Sequence, residues 1–136
     1  MPLTDAQVQA VNSANELHVS TYRPDGTTRK ATPVWAVTVD GEVYVRSAFG
    51  PEGGWYRHAV ADNRLHISVG DVSIDVALEP HSEPAVNESV DAAYRAKYTG
   101  EGNALDTMVS PPATETTTKL IPHGRDRTRP DARERL

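Results

Sequence analysis

The fold predicted for this chain depends most on the segment Val45-Arg46-Ser47-Ala48-Phe49-Gly50-Pro51-Glu52-Gly53-Gly54-Trp55-Tyr56-Arg57. It begins as the end of a β-strand, because Val43 and Val45 lie on one face of an alternating pattern. Three glycines and one proline then interrupt that pattern over Phe49–Gly54, and a short helix is predicted over Trp55–Ala61. The segment therefore predicts a strand, a glycine-rich loop and a helix in that order.

Strands are predicted on both sides of this segment, since residues of alternating polarity recur in short runs bounded by turn residues. The predicted strands are Leu17–Tyr22, Thr28–Asp40, Glu42–Ser47, Arg64–Val69, Val72–Glu79 and the threonine-rich Thr114–Ile121. Asp40-Gly41 is typical of a two-residue hairpin turn. Pro33 lacks the N–H that a ladder hydrogen bond requires, so an edge, a bulge or a strand break is expected there.

Helices are predicted around these strands. Thr4-Asp5-Ala6-Gln7 has the pattern of a capping box at the start of a short helix, Asn87–Tyr98 has an Asn cap, and Ala104–Val109 forms a further helical turn. Six strands with few helices would leave exposed edges in an open sheet, and closure removes them. Residues 1–122 are therefore predicted to form a mainly β domain, a six-stranded antiparallel split β-barrel with peripheral helices. The polar, arginine-rich segment 123–136 is predicted to be a disordered tail.

Composition limits the classes of function. The chain has 136 residues, which suits one domain, and no cysteine, which excludes disulfides, thiolate catalysis and cysteine-ligated metals. The net charge is −5, so the basic excess expected of a nucleic-acid-binding protein is missing. No apolar run approaches the roughly 20 residues that span a membrane. Met1–Gln9 shows no secretory signal, and a cytoplasmic protein is expected.

The opening segment has the chemistry of a phosphate site. A helix N-terminus presents N–H groups without partners and a partial positive charge, and glycine allows close approach of the backbone to an anion. Arg46 and Arg57 would donate charge-assisted hydrogen bonds to a phosphate, and Ser47 would donate another. The alternative is a surface connection whose glycines only form turns.

A series of short motifs resembles the split-barrel flavin-binding superfamily, which includes pyridoxamine-phosphate oxidases and deazaflavin-dependent reductases. The sequence is more closely similar to domain-of-unknown-function family 2255, over about residues 15–122. The motifs, in chain order, are Leu17–Thr21, Asp25-Gly26, Thr32-Pro33-Val34-Trp35, Tyr44-Val45-Arg46-Ser47, Trp55-Tyr56-Arg57 and Ser110-Pro111-Pro112-Ala113-Thr114.

The resemblance implies an FMN or deazaflavin cofactor and a homodimer that completes the cofactor site between subunits. Arg46 and Ser47 would lie by the phosphate with Arg57. The residues implied to run alongside the ring are Thr32, Pro33, Val34 and Trp35. Many flavin binders have Lys and Asn-Leu in the helix where this chain has Arg57-His58-Ala59-Val60. Which cofactor binds, or whether one binds, therefore stays open.

Three functions remain after these observations. The first is a flavin- or deazaflavin-dependent oxidoreductase acting on a small organic molecule, with Trp35 and Trp55 as pocket walls or as plain core. The second is a cofactor-free enzyme or binding protein that uses the barrel pocket, with His18, Tyr22 and Asp75 as acid–base groups. The third is a structural or interaction domain. No metal site is expected, since no two of the five histidines have ligand spacing.

Overall fold

A computed structural model describes residues 3–81 and 83–123 of the chain. Apart from His123, the predicted disordered tail lies outside the described residues, and so do Met1, Pro2 and Ser82. Within the part of the chain that is described, no helix has the length and apolar character needed to cross a membrane.

Antiparallel strands form one continuous sheet. They are β1 (Leu17–Ser20), β2 (Thr32–Val34), β3 (Ala36–Val39), β4 (Glu42–Val45), β5 (Leu65–Val69), β6 (Val72–Pro80) and β7 (Thr118–Pro122). Their order across the sheet is β2-β1-β5-β6-β7-β4-β3. The hairpin between β3 and β4 turns at Asp40 and Gly41, whose φ angles of 53° and 79° are those of the turn that this dipeptide predicts.

The sheet is curled into a nearly closed barrel. β2 and β3 lie at opposite ends of the strand order, yet only Trp35 separates them along the chain. The two ends of the sheet are therefore held beside each other. The mainly β split-barrel fold is confirmed, with seven strands in place of six. The predicted strand Thr28–Asp40 divides because Val34 pairs with β1 whereas Ala36 pairs with β4.

Helices cover parts of the barrel. They are α1 (Asp5–Ser13), α2 (Gly54–Asp62), α3 (Pro84–Lys97) and α4 (Asn103–Met108), with 3-10 turns at Gly50–Glu52 and Ala113–Thr116. The predicted capping box at the start of α1 is present. The Gln7 backbone N–H donates to Thr4 Oγ1 at 3.1 Å, and the Thr4 N–H donates to Gln7 Oε1 at 2.9 Å.

Several predicted boundaries were wrong, and two of them have a clear local cause. α3 begins at Pro84 with Glu83 as the N-cap, not at Asn87, because proline is well suited to the first helical turn. β7 begins at Thr118, not at Thr114. The preceding threonines form a 3-10 turn, in which the Thr116 hydroxyl donates to the Ala113 carbonyl at 2.7 Å, since threonine hydroxyls compete for local backbone groups.

The apolar side chains form two clusters. One fills the barrel and includes the inward-facing residues of β5, namely Leu65, Ile67 and Val69. The other lies outside the barrel, where α3 packs on β3 and β4 through Val90, Tyr94 and Tyr98. This second cluster fixes α3 close to the point where β4 ends and the glycine-rich loop begins.

Candidate functional site

A cavity of about 500 Å³ lies where the chain crosses from β2 to β3 and faces the loop that follows β4. Apolar and aromatic side chains contribute most of its lining. The lining residues are Glu16, Thr32, Pro33, Val34, Trp35, Arg46, Ala48, Phe49, Trp55, Ala104, Thr107 and Met108. A planar organic group therefore meets mainly apolar surface in this cavity.

Trp35 is held firmly at the cavity. Its ring stacks on Tyr98 with centroids 4.0 Å apart and planes 5° apart. The Tyr94 hydroxyl donates to the Trp35 carbonyl at 3.0 Å. Tyr98 covers one face of the indole, so the remaining surface of this half-buried side chain borders the cavity.

The glycine-rich loop forms the opposite side. Phe49 is 81% exposed, and Trp55 is half-buried in the first turn of α2. The path of the loop depends on Gly50, which has φ +73° and lies so close to Pro112 that an added Cβ would be 2.5 Å from the proline Cβ. A side chain at this position would be strained and would collide, so glycine is required there.

Arg46 is buried at the end of β4, and all five of its N–H donors have acceptors inside the protein. Nε donates to Thr117 Oγ1 at 2.8 Å, and Nη1 donates to Asp91 Oδ1 at 2.6 Å and to the Met108 carbonyl at 2.8 Å. Nη2 donates to the carbonyl and to Oδ1 of Asn87, both at 3.3 Å. Arg46 therefore ties β4 to α3, α4 and the start of β7. Its contact with a phosphate stays a prediction, and such a contact would replace one of these acceptors.

Ser47 is also buried, but its side chain differs from that of Arg46 in its hydrogen bonding. Its backbone N–H donates to Thr116 Oγ1 at 2.8 Å, but its own hydroxyl is buried and has no hydrogen-bond partner among the described residues. Oγ lies against Gly53, where an added Cβ would be only 2.3 Å away. Gly53 is the N-cap of α2, and no side chain caps that helix. An unpaired hydroxyl thus lies beside a helix N-terminus whose N–H groups lack helical partners.

Arg57 lies in the first turns of α2 with an exposed side chain. Its Nε donates to the Glu52 carbonyl at 3.3 Å, the one side-chain hydrogen bond recorded for it among the described residues. Unlike Arg46, it has donors that are not committed to internal partners. It does not line the cavity itself, but it belongs to the same helix end as Trp55 and Gly53.

The predicted cofactor residues thus fall into two groups. Six of them line the cavity described above: Thr32, Pro33, Val34, Trp35, Arg46 and Trp55. Ser47 and Arg57 instead lie at the N-terminal end of α2. Sequence reasoning did not find Glu16 as a cavity residue, nor Asp91 and Asn87 as partners of Arg46, because no local pattern links positions so far apart in the chain.

Tyr22 and Asp75 form a separate cluster on the outer face of the barrel. The Tyr22 hydroxyl donates to Asp75 Oδ1 at 2.6 Å, Arg64 Nη2 donates to Oδ2 at 2.7 Å, and His66 Nδ1 lies 3.0 Å from Oδ1. Burial by itself would raise the pKa of Asp75. Hydrogen bonds from Tyr22, Arg64 and His66 outweigh burial and hold that pKa below its usual value.

His18 does not join this cluster, although it lies on the neighbouring strand β1 with its side chain exposed. Arg64 and His66 were not predicted as members. The register of the β5–β6 hairpin, in which Val69 pairs with Val72 and His66 with Asp75, was the signal that would have found His66. None of Tyr22, Asp75 and His18 lines the cavity.

A comparison with known protein families assigns the chain to one of them. Residues 7–120 match the family described as an uncharacterized protein conserved in bacteria, domain-of-unknown-function family 2255. The chain belongs to this family. The match covers both walls of the cavity and α3, so the cavity lies within the matched part of the chain. None of the curated proteins compared with the chain matches its sequence.

Solved structures place the family domain among split barrels. A conserved hypothetical protein of Mycobacterium tuberculosis is similar with a TM-score of 0.62 and 22% identity over 88% of this chain and 79% of that one. A FAD-binding protein of Mesorhizobium loti gives 0.54 and 17%, covering 91% and 93%. An F420-H2-dependent reductase gives 0.54 and 12%, covering 79% and 93%. These likenesses show that the fold of this chain is a split barrel.

Proposed function

We propose that this protein is a flavin- or deazaflavin-dependent oxidoreductase acting on a small organic molecule. The observation that carries the proposal is the cavity between Thr32–Trp35 and Trp55, together with the unpaired Ser47 hydroxyl at the neighbouring end of α2. Such a cofactor has an apolar planar ring and a phosphate. The cavity suits the ring, and the helix end suits the phosphate.

Each residue has a distinct part in this proposal. Thr32, Pro33 and Val34 lie along one edge of the ring site, and Trp35 is held in place by Tyr98. The Ser47 hydroxyl and the exposed guanidinium of Arg57 donate to the phosphate, which also lies at the N-terminal N–H groups of α2. Arg46, whose donors have internal acceptors, positions the end of β4 from which Ser47 projects.

The cofactor would supply hydride transfer. The protein would bind and orient the cofactor and would exclude water from one side of the cofactor ring. The FAD-binding and F420-H2-dependent proteins of similar fold support a cofactor of this chemistry. Phe49, exposed at the mouth of the cavity, supports a homodimer in which the partner covers that mouth. The Tyr22–Asp75 cluster supports the cofactor-free alternative less well, because it lies away from the cavity.

Titration with FMN and with a deazaflavin coenzyme, followed by cofactor fluorescence, tests the proposal. Wild type is expected to bind one of them. Ser47→Ala and Arg57→Ala are each expected to weaken binding by about tenfold, since each removes a hydrogen bond to a charged phosphate.

Arg95→Ala is the matched control, because it removes the same charge from an exposed position at the far end of α3 and should bind as wild type does. Equal affinity of wild type, Ser47→Ala and Arg57→Ala would remove the phosphate site. If wild type bound neither cofactor, the oxidoreductase proposal would fall.

A further inference from the structure

Glu16 is the unpaired charge of the cavity. Among the lining residues only Glu16 and Arg46 are charged. The charge of Arg46 is balanced by Asp91 at 2.6 Å. The exposed carboxylate of Glu16 makes no hydrogen bond and no ion pair with residues 3–81 or 83–123. The cavity therefore carries one uncompensated charge, and it is negative.

The strand register places Glu16 opposite an aromatic residue. Leu17 pairs with Val34 at the end of the β1–β2 ladder. Glu16 precedes Leu17 and Trp35 follows Val34, so these two residues occupy the next opposing positions, and both line the cavity. Burial raises the pKa of the Tyr98 hydroxyl to about 12, and the charge of Glu16 adds to that rise. Because Tyr98 stacks on Trp35, this agrees with a carboxylate close to the Trp35–Tyr98 pair.

A carboxylate beside aromatic faces is the arrangement that recognises an organic cation. The face of an indole attracts a cation through its quadrupole, and the attraction is largest for tryptophan. Trp55 and Phe49 supply further aromatic surface in the same cavity. An anionic group at this end would be repelled by Glu16 and would gain nothing from Arg46, whose donors are already used.

We infer that the end of the cavity formed by Glu16 and Trp35 binds the positively charged group of a small organic amine, with the apolar part of the amine lying against Trp55 and Phe49. The inference rests on the proposed function, since the small organic substrate would share this cavity with the cofactor ring and bind beside it, at the end formed by Glu16 and Trp35. Glu16 is then the residue that sets the charge preference for that substrate.

Benzylammonium and benzyl alcohol are suitable probes, because they share the aromatic ring and differ in charge. Titrations followed by tryptophan fluorescence are expected to show that wild type binds benzylammonium about tenfold more tightly than benzyl alcohol. The difference comes from one ion pair and one cation–aromatic contact. Glu16→Gln should weaken benzylammonium binding severalfold, because the ion pair is lost while the contact with the Trp35 ring remains, and should leave the affinity for benzyl alcohol unchanged.

Glu101→Gln is the matched control. It removes the same charge from an exposed residue. The charge of Glu101 also raises the pKa of Tyr98, but Glu101 does not line the cavity. It should keep the wild-type preference. Equal affinities of wild type for the two probes, a preference as large in Glu16→Gln as in wild type, or no binding of either probe would each overturn the inference.

Cofactor titration of the same variants separates this inference from the proposed function. Glu16→Gln is expected to bind FMN or the deazaflavin as wild type does, because the proposed phosphate site is at the end of α2. A wild type that binds the cofactor but shows no preference for benzylammonium over benzyl alcohol would overturn the inference alone. An amine preference that depends on Glu16, in a wild type that binds no cofactor, would overturn the proposed function alone.

Discussion

At the scale of single residues, Arg46 and Ser47 show how adjacent positions acquire different roles. They follow one another at the end of β4, and both are buried. The Arg46 guanidinium is satisfied by four residues from distant parts of the chain, whereas the Ser47 hydroxyl has no partner among the described residues. Removal of a buried charge that has a full set of acceptors destabilises a fold, because those acceptors lose their partner, whereas a buried donor without an acceptor favours a ligand.

Replacement of Arg46 tests the stabilising role. Arg46→Met is expected to lower the free energy of unfolding by about 3–5 kcal/mol, because Asp91 and two backbone carbonyls lose a charged donor in a buried site. Asp91→Asn should cost less, since the amide oxygen still accepts a hydrogen bond from Arg46. Urea unfolding measures both changes.

Arg95→Met serves as the comparison for Arg46→Met, because Arg95 is exposed on α3. It is expected to change the free energy of unfolding by less than about 0.5 kcal/mol. If Arg46→Met were as mild as Arg95→Met, Arg46 would not tie the elements together, and its predicted role as a phosphate ligand would gain support.

At the scale of elements, the junction between β6 and α3 is held by side chains that titrate. His81 Nε2 lies 2.6 Å from Glu79 Oε1, and His81 Nδ1 lies 3.2 Å from Glu83 Oε2. Hydrogen bonding to Glu79, and then to Glu83, raises the pKa of His81 above its ordinary value of 6.5. Hydrogen bonding to His81 lowers the pKa of Glu79 and of Glu83 below 4.5. Lys119 also faces Glu79, at 3.3 Å.

These shifts predict a pH dependence of stability. The contribution of His81 is complete below about pH 6.5 and is lost as pH rises through the raised pKa of the folded state. The contribution of the two glutamates is present above about pH 4.5 and is lost as pH falls through their lowered values. The junction is therefore expected to be most stabilising between these two limits.

Urea unfolding at pH 5.5 and at pH 8.5 measures the effect of His81. His81→Gln is expected to destabilise the protein at the lower pH and to have less effect at the higher pH. His58→Gln is the control, because His58 is exposed on α2 and makes no ion pair with the described residues. A His81→Gln effect that is the same at both pH values would contradict the prediction.

At the scale of the whole molecule, the barrel closes its strand edges but leaves one side of the cavity open. Trp35 joins the two ends of the sheet, and the loop carrying Phe49 faces it across the cavity. Phe49 is 81% exposed, and the other large apolar side chain in the described residues with high exposure is Val60, at 53%. A partner that covers the mouth of the cavity would bury Phe49.

Sedimentation tests the proposed homodimer. Wild type is expected to sediment as a dimer at micromolar concentration, and Phe49→Glu should raise the dissociation constant by about tenfold or more, since it places a charge in an apolar contact. Val60→Glu introduces the same charge at an exposed residue outside the cavity and should leave the dimer intact. A monomeric wild type, or equal effects of the two variants, would contradict the assignment of Phe49 to the interface.

Local patterns in the sequence determined much of this protein. Alternation along Leu65–Val69 and Val72–Glu79, the Asp40-Gly41 turn and the capping box after Thr4 each act within a few residues, and the structure has all of them. The family motifs indicated Thr32–Trp35 and Trp55 as cofactor residues, and the structure brings these residues together in one cavity.

Only the tertiary structure decided which of the predicted groups are available to a ligand. The five acceptors around Arg46 come from four residues between positions 87 and 117, and their approach depends on how α3 packs on β3 and β4. The division of Thr28–Asp40 at Trp35, and the position of Glu16 beside that residue, follow from which strands pair when the sheet closes. Hydrogen bonding and pairing between distant segments leave no short-range pattern, because the partner of each group is chosen by the fold.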